Sequence, residues 1–163
     1  MNIKSATCIA VLSDTHGILR PQALLALRAA HAVQSLAAIL HLGDVGDFTI
    51  LETLRGLAPT HAVRGNVDTH GPCSALPPTE YLTFAEKNIY LLHNLDHLDL
   101  APRHADVHAV LHGHTHSPNI EHRDGVLYFN PGSCGPRRFT LPTTLGFLTI
   151  SDSTITPTLQ NLL

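Results

Sequence analysis

Five times along this 163-residue chain a short apolar run stops at a polar loop that carries Asp, Asn or His. The runs occupy residues 8–12, 37–42, 60–63, 89–92 and 107–111. They are continuous rather than alternating and too short for helices, which predicts strands buried on both faces. Helical patterns separate the first three. Pro21 suits the first turn of a helix. In that helix Leu24, Leu27, Arg28 and His31 share one face and Leu25, Ala29, Ala32 and Val33 the other. It is apolar nearly all round and is expected to be well packed. Asp47 is a good N-cap for a second helix carrying Ile50, Leu51, Leu54 and Leu57. This alternation predicts a parallel βαβαβ start and an α/β class.

Beyond residue 68 the pattern loosens. Gly71, Pro72, Pro77 and Pro78 mark residues 69–79 as a loop, and 81–84 reads as a short strand. Residues 95–102 suggest a short helical piece. The end of the chain is strand-like over 119–122, 126–129, 145–150 and 154–159, with Asp124-Gly125 as a hairpin turn. There is no internal repeat, so one α/β domain over residues 1–163 is expected.

Composition excludes several classes. Hydrophobic residues make up 44 % and charged residues 14 %, enough apolar content to build a core. The net charge is −3 and no basic block exceeds Arg137-Arg138, which argues against a broad nucleic-acid surface; a solvated loop is the better reading of that pair. Cys8, Cys73 and Cys134 are far apart and odd in number, fitting free thiols rather than a disulfide framework or a Cys-bound zinc. No stretch is long enough to span a bilayer, and the run at 8–12 lacks a cleavage region. A cytoplasmic protein with no membrane contact is the expectation. The apolar loop at 73–78 is a candidate face for a homo-oligomer.

In an open α/β sheet, ligands gather outside the carboxyl ends of the strands. Asp14 and His16 follow the first run, Asp44 the second, Asn66 and Asp68 the third, His93 the fourth, and His114 and His116 the fifth. Asp14/His16 and His114/His116 are i, i+2 pairs, which point to one side in extended chain. Each pair can serve one metal, or give one ligand to each of two. Gly17, Gly43, Gly65 and Gly113 allow tight turns and close approach. Carboxylate, imidazole and amide oxygen without thiolate suit Mn, Fe, Zn, Ni or Co. His41 and His112 stand beside these loops, as supports of the ligands or as packed strand-end histidines in equal measure.

The ordered set Ser13-Asp14-Thr15-His16-Gly17, Leu42-Gly43-Asp44, Gly65-Asn66-Val67-Asp68, a lone His93 after a strand, and Gly113-His114-Thr115-His116 resembles the calcineurin-like metallophosphoesterase superfamily, especially its small YfcE-type phosphodiesterases. Asn130-Pro131-Gly132-Ser133 resembles that subfamily too. The resemblance implies an α-β-β-α sandwich of two sheets flanked by helices. It implies two divalent transition-metal ions, manganese first among them: Asp14, His16 and His116 on one, Asn66, His93 and His114 on the other, and Asp44 bridging. Metal chemistry then implies hydrolysis of a small phosphoester, a diester by analogy, through a metal-bridging hydroxide. Two divalent ions less two carboxylates and one hydroxide leave roughly +1 to attract the phosphate. Asp44 and Asn66 are thereby catalytic as well as ligating. Larger relatives have His directly after Gly-Asn as an acid for the leaving group. Val67 stands there, which turns attention to Asp68 and His70 as proton donors, with Asp68 also a candidate to orient Asn66 or a histidine. Asn94 replaces the usual Gly after His93. Some relatives, the retromer subunit among them, act as partner-binding scaffolds and lack a site histidine; His16, His93, His114 and His116 favour an enzyme.

Overall fold

The computed structural model describes residues 5–163. Its framework is two five-stranded sheets packed face to face. The first begins as the apolar runs predict: β1 (Thr7–Leu12) leads through α1 (Pro21–Val33) to β2 (Leu36–His41), then through α2 (Thr49–Arg55) to β3 (Thr60–Ala62). β1, β2 and β3 are parallel neighbours. The last two strands, β9 (Thr144–Ser151) and β10 (Thr154–Asn161), return antiparallel beside β1, giving the order β10-β9-β1-β2-β3. The second sheet contains β4 (Thr79–Phe84), β5 (Lys87–Leu92), β6 (Ala109–Leu111), β7 (Asn119–Arg123) and β8 (Val126–Asn130), in the order β4-β5-β6-β8-β7. β5, β6 and β8 run parallel, and a hairpin joins β7 to β8.

The strand period of two sorts the apolar residues into three layers. Ile9 and Val11 of β1 meet Ile89, Leu91, Leu111 and Phe129 between the sheets. Ala10 and Leu12 face the other way, onto Ala23, Ala26 and Leu27 of α1 and Ile50, Leu51 and Leu54 of α2. Tyr90, Leu92, Val110 and Tyr128 form the outer face of the second sheet.

Three expectations are corrected here. α1 packs along one stripe only; Leu25 is 64 % and Val33 90 % exposed. A single sheet lies beneath it, and the stripe of Ala23, Ala26 and Leu27 makes the contact while the larger apolar residues of the other face do not. The helical piece at 95–102 shrinks to a single 3-10 turn, Leu95–His97. The rest of 95–107 is irregular and lays Leu95, Leu98 and Leu100 onto the second sheet. Phe48, not Asp47, holds the N-cap position of α2 and offers no side-chain cap; Asp47 stands one residue earlier, its Oδ1 accepting from the Thr49 amide at 2.9 Å and hydroxyl at 2.8 Å. Among the described residues, no helix is long and apolar enough to cross a membrane.

Candidate metal centre

The polar loops after β1, β2, β3, β5 and β6 meet at one end of the sandwich. Five of the residues they carry have left-handed backbone: Asp14 (φ 56°), His16 (46°), Asp44 (53°), His114 (72°) and His116 (60°). Non-glycine residues there cost roughly 1–2 kcal/mol each, and such strain concentrates at functional sites. The i, i+2 pairs therefore do not converge through extended chain, as the spacing suggested. They converge because each loop curls at both members of the pair. The pairs also differ from one another. Asp14 and His16 share a cluster with His116. His114 turns away from His116, its Nδ1 lying 3.1 Å from Asn66 Oδ1.

At the centre lies Asp14 Oδ1, a buried carboxylate oxygen with no hydrogen-bond partner among the described residues. It is 3.4 Å from His116 Nε2, 3.8 Å from His16 Nε2 and 3.9 Å from His93 Nε2. Asp44 Oδ2 is 3.5 Å from His16 Nε2 and 3.3 Å from His93 Nε2, so it stands between a histidine of each group. Asn66 Oδ1 is 3.0 Å from His93 Nε2, and His16 and His116 approach Nε2 to Nε2 at 3.1 Å. With metal–ligand bonds of about 2.0–2.2 Å, adjacent ligands around one ion stand about 3.0–3.5 Å apart. Most of these separations fall in that range. An unpartnered buried carboxylate oxygen with three imidazole nitrogens at 3.4–3.9 Å fits a divalent cation. Donor atoms of Asp14, His16 and His116, and of Asp14, Asp44 and His93, each lie within 4.8 Å of one another.

The ligands are aimed by their surroundings. His93 Nδ1 donates to the Leu42 carbonyl at 2.7 Å, a bond between the sheets that leaves the Nε2 lone pair for the site. Its ring lies over Gly43, whose φ of +98° and lack of a Cβ make room for it. Asp14 Oδ2 accepts from the Ser13 hydroxyl at 2.7 Å and the His114 amide at 3.1 Å. Asp44 Oδ1 accepts from the Val67 amide at 3.0 Å. Burial pushes the Asp14 carboxyl up, but the close His116 imidazole, the Ser13 hydroxyl and the charge of His93 outweigh it, and its pKa lies below the ordinary value. Asp44 behaves alike, burial opposed by His93 and the Val67 amide, with a net lowering. In His93, burial is overcome by the hydrogen bond to Asp44 and the charge of Asp14, so its pKa rises. Burial pushes the Cys134 thiol up to about 12, and all three cysteines are free. That leaves oxygen and imidazole as the ligands.

The side chains of the two expected proton donors are engaged elsewhere. Asp68 is buried, and its carboxylate accepts from three backbone amides: Gly65 at 2.8 Å, Gly46 at 3.0 Å and Val45 at 3.2 Å. Both oxygens are spent tying the Asp44 loop to the Asn66 loop, so it orients backbone rather than Asn66 or a histidine side chain. His70 is exposed, paired with Thr69 Oγ1 at 2.7 Å, and lines a separate cleft with Asp47 and Phe48.

Other supports went unassigned in the sequence. His41 Nδ1 accepts from the Gly43 amide at 3.2 Å, so its Nε2 donates to Thr15 Oγ1 at 2.9 Å, and Thr15 in turn donates to the Val45 carbonyl at 2.8 Å. Burial drives His41 down to about 4, keeping it neutral in this chain of bonds. Asn130 donates to the Gly113 carbonyl and to Thr115 Oγ1, while Ser133 donates to the Asp14 carbonyl at 2.9 Å. The Asn130-Pro131-Gly132-Ser133 stretch thus fastens both histidine loops. Its order was visible in the sequence; its partners were not. His112 is buried, and neither ring nitrogen is bonded among the described residues.

Comparison with known proteins agrees with this geometry. The sequence model of the calcineurin-like phosphoesterase superfamily domain matches residues 8–153. A probable metallophosphoesterase of Methanocaldococcus jannaschii is 34 % identical over 137 residues, 77 % of this chain and 67 % of the relative. The solved structure of a novel archaeal phosphodiesterase superposes with a TM-score of 0.73 at 22 % identity, covering 94 % of this chain and 100 % of the other. Vacuolar protein sorting 29 of Cryptosporidium parvum gives 0.75 at 16 % identity, covering 97 % and 98 %. These two structures share the fold.

Proposed function

Because the chain belongs to the calcineurin-like phosphoesterase superfamily, we propose that it is a phosphodiesterase working with two divalent ions, manganese foremost. The observation that carries this reading is Asp14 Oδ1, buried and unpartnered within 3.9 Å of three imidazole nitrogens. Asp14, His16 and His116 would hold one ion, Asn66, His93 and His114 the other, and Asp44 both. When bound, the ions supply Lewis acidity toward a phosphoryl oxygen and an activated water. The chain's residues do the rest. The Leu42 carbonyl keeps His93 in the ligating tautomer. The Val67 amide and the Asp68 clamp hold Asp44 and Asn66 in register.

The site is open on one side, where His16, Asn66 and His114 reach solvent. Structural metal sites are closed, so the open edge supports catalysis over a purely structural role. The same edge admits a small phosphoester. The archaeal phosphodiesterase of like fold supports a diester substrate. A partner-binding scaffold of the vacuolar sorting type is the weaker reading, since His16, His93, His114 and His116 are all present and gathered at one open site. Element analysis of the purified protein, together with hydrolysis of bis(p-nitrophenyl) phosphate with added manganese, tests the proposal. Bound transition metal and metal-dependent release of p-nitrophenolate are expected. Absence of both would sink it.

A further inference from the structure

A cleft of about 440 Å³ opens beside the centre and shares Asn66, His93 and His114 with it. Arg64 comes from the loop after β3, Pro78 precedes β4, Leu92 and Asn94 sit at the end of β5, and His97 and Asp99 come from the irregular outer segment. That segment is built to supply polar groups here. Leu95, Leu98 and Leu100 pack down onto Tyr90, Leu92 and Val110, and the residues between them, His97 and Asp99, stay exposed. The alternation is not helical, which is why the segment departs from the helix expected at 95–102.

Resting on the phosphodiesterase reading, we propose that this cleft seats the organic group of the ester, and that the group is a hydroxyl-bearing alcohol of sugar or nucleoside size. The volume falls within the range of small-molecule pockets and far exceeds a phosphoryl group alone. Arg64 and Asp99 give the cleft one charge of each sign, so it suits an uncharged polar group. A second phosphate would meet the Asp99 carboxylate. A purely apolar group would desolvate Asp99 and Asn94 without replacing their bonds to water. Asn94 Oδ1 is taken by the Asp96 amide at 3.0 Å, leaving its amide hydrogens as donors. Among the described residues the Asp99 carboxylate has only a 3.5 Å contact, with the Tyr90 hydroxyl, and can accept from a pair of neighbouring hydroxyls. Leu92 and Pro78 offer an apolar wall to the carbon face of the ring.

The test is an amide NMR titration of the metal-free protein with adenosine, dideoxyadenosine and glucose. Adenosine or glucose is expected to shift the amides of residues 92–100, the stronger of the two telling a nucleoside from another sugar. 2′,3′-Dideoxyadenosine, lacking the neighbouring 2′ and 3′ hydroxyls, is expected to bind about tenfold more weakly than adenosine, and Asp99→Asn to weaken the hydroxylated ligand by about tenfold. The same ligand should competitively inhibit hydrolysis of bis(p-nitrophenyl) phosphate by the manganese-loaded protein. Amides at 92–100 that ignore every hydroxylated ligand would overturn the inference while hydrolysis proceeds, as would dideoxyadenosine binding as well as adenosine. A protein that hydrolyses nothing but still binds the sugar here would retain the binding site and refute the phosphodiesterase reading alone.

Discussion

The floor and the rim of the metal centre are built on different terms. Asp14, Asp44, His93 and His116 form the floor, none more than 6 % exposed. Three of the four are anchored from behind, Asp14 by Ser13 and the His114 amide, Asp44 by the Val67 amide, and His93 by the Leu42 carbonyl. His16, Asn66 and His114 form the rim, reach solvent, and make their side-chain contacts with the floor or with each other. The difference teaches a division of labour. The floor is fixed by the fold, and on the proposed reading it would anchor the ions. The rim has freedom to adjust where a substrate arrives.

Substitutions on the two sides should separate accordingly. The largest effect is expected at the floor: Asp44→Ala should lower metal-dependent hydrolysis by about a thousandfold or more, read as kcat/KM. A rim change, Asn66→Ala, should cost about ten- to a hundredfold and leave the more tightly held ion in place, as metal analysis after dialysis would show. Equal losses on both sides would erase the distinction.

The supports behind the floor should register in stability. His41 has a folded pKa of about 4 against an ordinary 6.5. Between those values the unfolded chain binds the extra proton, so stability is fully present above pH 6.5 and is lost as pH falls toward 4. The loss amounts to about 3 kcal/mol. His41→Gln should flatten the dependence of Tm on pH in that window, whatever its effect on the level. Asp68→Asn should destabilise by about 1–3 kcal/mol, measured by urea unfolding, because one of its amide partners loses an acceptor. If Asp68 were instead a proton donor, the variant would unfold like the native chain and lose only rate. The smallest effect is expected at His70→Ala, which should hydrolyse within about twofold of the native chain, since the histidine lies in another cleft.

The parallel strands were legible because burial on both faces leaves unbroken apolar runs; the ends of β1, β2 and β3 in the first sheet carry Asp14, His16, Asp44 and Asn66, and those of β5 and β6 in the second carry His93, His114 and His116. What the sequence concealed was direction. Nothing in Gly65-Asn66-Val67-Asp68 says that Asp68 turns to three backbone amides while Asn66 turns to two histidines. The convergence of Asp14 with His16 rests on left-handed backbone, which the spacing does not encode. The outer segment departs from the helical piece expected at 95–102 because Leu95, Leu98 and Leu100, spaced three and then two apart, do not share one helix face. In the structure the Asn94 side chain bonds the Asp96 amide, and the chain leaves helical geometry after one turn.

The central claim is that seven residues hold two divalent ions with Asp44 between them. Calorimetric titration of the metal-free protein with manganese tests it most directly. The account predicts two equivalents per chain, reduced in affinity at both sites by Asp44→Asn. A single equivalent indifferent to that substitution, or no binding at all, would contradict it.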